Sequence, residues 1–262
     1  MGRGKISYNL SMALRTGNPT LKESTFASFR TSVTSASPAE VMTLNGTVHR
    51  TFFLLCLVVT SASFTWGQLF TNPGLVLPLM IAGLIGGLIT ALITCFKKEW
   101  SPITAPAYAL LEGLALGGIS ALFEAEYPGI VLQAVGLTFG TLFALLAAYR
   151  SGLIKATENF KLGVVAATGG ICLVYLANFV LSLFNVPIAM LHEGGTLGIL
   201  FCLFVVVVAA LNLVLDFDFI EQGVEYGAPK YMEWYSAFGL VVTLVWLYLE
   251  ILRLLSYLQR RD

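Results

Sequence analysis

Three carboxylates fall inside apolar runs of this chain: Asp216 at the foot of LGILFCLFVVVVAALNLVLDFDFIE, Glu250 within VVTLVWLYLEILRLL, and Glu112 within ALLEGLALGGISAL. None of these runs has a Lys or Arg in its middle. An ionisable group at a bilayer centre costs roughly 2.5–3.5 kcal/mol even on insertion scales, so such residues face a partner or a water-filled path. If Asp216 and Glu250 meet, two carboxyl groups in a low-dielectric site cannot both ionise readily and would share a proton near neutral pH. Loss of that proton leaves an oxygen-rich anionic site suited to a hard cation such as Ca²⁺. Asp216 and Glu250 are thus the candidate pH-sensitive gate and transient Ca²⁺ site, with Glu112 and Asp218 as candidate pore-lining or ion-binding residues.

Blander explanations compete for each. Asp216 lies about 6–10 Å inside its helix end at 1.5 Å rise per residue, where water still reaches it. Asp218, Glu221 and Glu225 beyond it read as a solvated helix end. Arg253, three residues after Glu250, can pair with it on one helix face. Glu112 can hydrogen-bond a neighbouring helix in its protonated form.

The elements that position these residues are membrane spans. The chain is 57% hydrophobic and 11% charged, the composition of an all-α polytopic membrane protein rather than a soluble domain. Seven apolar stretches of about the 20 residues needed to cross a bilayer run near 50–70, 74–96, 103–123, 129–149, 161–184, 196–220 and 236–257. Residues 1–45 are Ser- and Thr-rich with scattered basic residues and read as a polar, disordered cytoplasmic tail, leaving 46–262 as the seven-helix transmembrane domain. The tail lacks the apolar core of a secretory signal, so no cleavage is expected.

Lys and Arg accumulate on the cytoplasmic side of spans. With the amino terminus inside, the inner segments hold six basic residues from Arg3 to Arg50, then Lys97 and Lys98, then Arg150, Lys155 and Lys161, then Lys230. The outer loops around Thr71, Glu124 and His192 hold none. Arg253, Arg260 and Arg261 dissent, since seven crossings place them outside.

Small residues at four-residue spacing, Gly83 with Gly87, Gly113 with Gly117 and Gly136 with Gly140, predict close approach among the second to fourth helices. Asn72-Pro73, Ser101-Pro102, Tyr127-Pro128 and Asn185 before Pro187 mark helix ends. Trp66, Trp100 and Trp234 read as interfacial anchors. Cys56, Cys95, Cys172 and Cys202 show no metal-ligand spacing and read as small buried apolar residues.

Several chemistries are excluded by their missing residues. No span has the interior Lys that a retinal Schiff base needs. His192-Glu193 lacks the second His of HExxH. Asp216 and Glu250 do not stand in aspartyl-protease motifs, and no phosphate-binding loop occurs. No enzyme, no resident cofactor and no nucleic-acid partner is expected; the partners are the lipid bilayer, Ca²⁺ and protons, and other membrane proteins.

At these same residues the chain resembles the Bax inhibitor-1 family, the transmembrane Bax inhibitor motif proteins, and specifically its bacterial YccA-like members. Asp216-Phe217-Asp218-Phe219-Ile220 is similar to the family's Asp-x-Gln-x-Ile stretch ending the sixth helix. Leu247-Tyr248-Leu249-Glu250 is similar to its Leu-Tyr-Leu-Asp stretch in the last helix. The resemblance implies a seventh helix surrounded by the other six and a pH-sensitive calcium leak in the bacterial inner (plasma) membrane, with Asp216 and Glu250 as sensor. It also implies an alternative, a non-conducting interaction protein that modulates membrane-protein quality control. The chain departs in having Glu at 250, a longer link read as an interfacial insertion from Gly223 to Trp234, and no early-helix Arg of the kind that latches the sensor Asp in some relatives.

Overall fold

A computed structural model describes residues 40–184 and 195–260. His192, Glu193 and Arg261 lie outside the described residues. Among the described residues seven helices are long and apolar enough to cross a membrane: α1 Leu44–Thr71, α2 Val76–Phe96, α3 Ser101–Glu126, α4 Ile130–Arg150, α5 Glu158–Leu183, α6 Thr196–Glu225 and α7 Met232–Gln259. Short 3₁₀ turns at Pro73–Leu75 and Lys98–Trp100 precede α2 and α3. The chain is an all-helical, polytopic membrane protein.

Local chemistry sets the helix boundaries. Thr43 caps α1, its Oγ1 accepting from Gly46 N–H at 3.0 Å, which satisfies one of the free donors of a first turn. Pro102 stands in the first turn of α3, where its missing N–H removes no helical bond. The end of α6 closes as a Schellman motif: Ala228 N–H donates to Gly223 O at 3.0 Å and Gly227 N–H to Val224 O at 3.1 Å. Gly227 takes φ 63°, a conformation glycine adopts without steric penalty. The expected insertion from Gly223 to Trp234 is therefore half helix, its ends belonging to α6 and α7. Only residues 226–231 separate α6 from α7.

α7 is the central helix, packing on α1, α3, α4 and α6. Its most apolar stretch is 67% buried, against 11% for α5, which lies outside on α6. α2 forms the outer layer over α3. The glycine pairs explain part of this. A Cβ on Gly83 would meet Leu111 O at 2.5 Å and Ala115 N at 2.7 Å on α3, and Gly113 and Gly117 press on the α1 backbone at Val58 and Ala62. Gly136 and Gly140 have nothing within 4 Å, so the spacing on α4 makes no helix seam.

Residues 40–45 belong to the folded body rather than to a tail. Val41 bridges to Pro229, Met42 N–H donates to Ala228 O at 2.6 Å, and Lys230 N–H donates to Glu40 O at 2.9 Å. Met42 is buried. Cys202 is buried as expected, while Cys56 and Cys172 face outward from their helices.

Candidate functional site

Contacts along α7 give each carboxylate a depth. α3 runs parallel to α7: Ser101 Oγ donates to Tyr231 O at 3.0 Å, Tyr108 meets Phe238 edge-on at 4.9 Å, and the Ser120 and Tyr248 hydroxyls lie 2.6 Å apart. α6 runs antiparallel, with Cys202 Sγ 3.5 Å from Glu250 O and 3.9 Å from Glu250 Oε2. Asp216 follows Cys202 by fourteen residues of unbroken helix, about 21 Å at the helical rise. The two carboxylates do not meet. Counting back the same distance on α7 places Asp216 at the level of Ser236; both are buried. By the α3 contacts, Glu112 lies at an intermediate level, near Val241.

The shared-proton pair is thus corrected to two separate acidic positions toward opposite ends of the α6–α7 hairpin. A single Ca²⁺ cannot bridge them, because metal–oxygen bonds are about 2.3–2.6 Å. Among the described residues no three His, Cys, Asp or Glu side chains gather where they could hold a metal.

Glu250, 3% exposed, is surrounded by donors. Tyr175 OH of α5 donates to its Oε1 at 2.9 Å, and Arg253 Nη1 lies 3.3 Å from its Oε2. The same Arg253 nitrogen donates to Tyr175 OH at 2.7 Å while the guanidinium stacks 5.3 Å from the Tyr175 ring. The local ion pair foreseen from the three-residue spacing forms, and α5 tightens it. Glu250 is consequently a charge-balanced group locking α7 to α5.

Asp218 is also balanced. Lys161 Nζ of α5, itself 3% exposed, lies 2.8 Å from Asp218 Oδ2, and Gln222 Nε2 donates to the same oxygen at 2.5 Å. Glu221 accepts from Tyr149 OH at 2.5 Å. These contacts fasten α6 to α4 and α5. Glu112 is half-buried with its carboxylate against Gly87, on the seam between α2 and α3. No hydrogen bond or ion pair to it occurs among the described residues, and it stands one helical turn from Tyr108, which packs on Phe238 of α7.

The sequence reading missed Glu233. It is fully buried in the first turn of α7 and gathers the amino-terminal end of α1 onto the hairpin turn. Thr43 donates to Glu233 Oε1 from its backbone N–H at 2.9 Å and its hydroxyl at 2.8 Å. Lys230 Nζ lies 2.9 Å from Oε1, and Arg50 pairs with Oε2. A Cβ on Gly46 would strike the carboxylate, so glycine there lets the anion reach the positive end of the α1 dipole. Arg50 also stacks 5.2 Å from the Trp234 ring. An early-helix Arg therefore does hold a carboxylate, but it is Glu233. The sequence signal was Lys230 three residues before Glu233; Arg50, grouped above with the basic residues of the inner segments, lies in the second turn of α1. Beside this cluster, burial and the nearby Glu99 push the Tyr231 phenol above its ordinary range, keeping it neutral.

A seven-helix membrane bundle with buried acidic residues on its last two helices defines the class of protein. The Bax inhibitor 1 like family model matches residues 18–260, and the chain belongs to that family. No curated protein and no solved structure matches it.

Proposed function

We propose that this chain is a proton-sensitive leak pathway for Ca²⁺, oriented with its amino terminus in the cytoplasm. The observation that carries the reading is Asp216, 1% exposed on α6 beside the central helix. A carboxyl group at such a position responds to pH through the large free-energy difference between burying its charged and neutral forms. Family membership supports the same reading. In this mechanism Asp216 is the sensor toward one face. The Glu250–Arg253–Tyr175 cluster is a second lock toward the other face, and movement of the α6–α7 hairpin opens the path between them. Each acidic group acts at its own depth, and no proton is shared between them.

One observation favours the non-conducting alternative. Glu250, Asp218 and Glu233 are each satisfied by a cation, as expected of groups that only tie helices together. Reconstitution in liposomes loaded with a Ca²⁺ indicator separates the two. The leak reading requires Ca²⁺ flux that changes with pH, with a dependence flattened in Asp216→Asn. Absence of flux at every pH, or an unchanged profile in the double variant Asp216→Asn with Glu250→Gln, sinks it.

A further inference from the structure

A cavity of about 240 Å³ lies at mid-depth between α1, α3, α4 and α7. Its floor is central-helix surface, Leu244, Val245 and Tyr248, and its walls include Ala62, Leu116 and Phe139. α1 and α4 make no substantial packing on one another, and the gap between them is the mouth. On its rim Val59 is 58% exposed and Val135 38% exposed, whereas Leu244 and Val245 on the floor are 4% and 8% exposed. Leu132, one turn from Val135 on α4, is also outward-facing, so the mouth opens onto an apolar, membrane-facing surface.

The hydroxyls that line the cavity are satisfied within the protein. Ser63 donates to Val59 O at 2.8 Å, Thr138 donates to Ala134 O at 2.7 Å, and Ser120 and Tyr248 bond each other at 2.6 Å. A buried water needs two to four polar partners, and apart from these hydroxyls and the Trp66 indole N–H the lining is aliphatic and aromatic. Nor does a helix of a second copy fit. A helix is about 10–12 Å across with its side chains, too thick for a cleft of this volume. A flexible hydrocarbon chain meets both conditions: it requires no hydrogen bond and is thin enough to enter between α1 and α4.

We propose that this cleft is a binding site for one acyl chain of a membrane phospholipid, inserted between α1 and α4 until it touches the floor formed by Leu244 and Val245. The chain fills an apolar void that would otherwise leave its lining without dispersion partners.

The proposal is tested with the full-length protein in phosphatidylcholine vesicles doped with a phospholipid carrying a diazirine near the end of one acyl chain. After illumination the adducts are mapped by mass spectrometry. Adducts are expected on Leu244 and Val245, which ring lipids cannot reach from outside, and they should fall to background in Val135→Trp, which fills the mouth. Val131→Phe on the same wall is the second blocking variant should the first fail to fold, with labelling of exposed Leu137 as the internal control. Labelling confined to outward-facing residues such as Leu132 and Leu137 overturns the proposal. So does floor labelling that persists in a folded blocking variant. The outcome is independent of ion flux, so it stands or falls separately from the leak reading.

Discussion

The Cys202 thiol lies 3.5 Å from the backbone carbonyl of Glu250, and this contact fixes how far α6 has slid along α7. Once the register is pinned, Asp216 falls at the level of Ser236, fourteen residues from Glu250 along the hairpin. The hairpin therefore carries one buried acidic group toward each end, with the ion pair of Glu250 and Arg253 at one and Asp216 toward the other. Spin labels at positions 216 and 250 in a cysteine-free background should show a separation of about 20 Å by electron resonance. A separation within direct contact range would mean the register is wrong and would restore the shared-proton pair.

Removing one partner of a buried pair leaves an uncompensated charge, which destabilises by about 3–5 kcal/mol in closed surroundings. Arg253 is partly exposed while the Glu250 side chain is nearly fully covered, so the penalty falls on Glu250 when Arg253 is lost. Arg253→Met should lower thermal stability in detergent by about 3 kcal/mol. Adding Glu250→Gln should recover part of that loss, because the amide needs no cation. Additive losses in this cycle would show that the two residues are not coupled.

At the opposite end, Glu233 holds Thr43, Arg50 and Lys230 at once. Glu233→Gln keeps the shape and removes the charge. Because Arg50 and Lys230 are partly exposed and can turn to water, the loss should be near the lower end for buried pairs, about 3 kcal/mol. Arg50→Met should lose less, about 1–2 kcal/mol, since Lys230 still neutralises the carboxylate. The strap at residues 40–43 should then become accessible to protease before the spans do, a readout that global unfolding would not separate from the rest of the fold. Equal protection of the strap in wild type and Glu233→Gln would contradict the anchoring role.

Span number and approximate limits could be read from hydropathy because a helix in lipid must satisfy its own backbone and present apolar side chains over a fixed length. Depth was harder to read. Helix length alone says how far a residue lies from its own helix end, but the relation of Asp216 to Glu250 depends on the slide between α6 and α7. That slide is set by side-chain contacts such as Cys202 with Glu250, and by the Schellman closure at Gly227 that keeps the turn short. The Arg253 pairing was legible because it lies within one helix at three-residue spacing. The Tyr175 and Lys161 contributions were not, since both come from α5 and only tertiary packing brings them to the hairpin. Glu233 was hidden for the same reason, its partners being spread from Thr43 to Lys230.

The glycine pairs supply a test in which one spacing has two outcomes. At Gly83 a methyl group would fall 2.5 Å from Leu111 O and 2.7 Å from Ala115 N, and backbone atoms of a packed helix cannot move aside as a flexible side chain can. Gly83→Ala should therefore force α2 away from α3 and destabilise by about 1–3 kcal/mol, the range for overpacking; Gly117→Ala, against the α1 backbone at Ala62, should behave alike. Gly136→Ala and Gly140→Ala meet nothing within 4 Å. There the substitution only stiffens the helix, a change worth up to about 1 kcal/mol in favour of the folded state on soluble helix scales. Thermal melts of the four variants in one detergent compare them directly. If Gly136→Ala and Gly140→Ala melt as low as Gly83→Ala, the outer face of α4 is packed against another helix in the native assembly, and the open face described for it is covered.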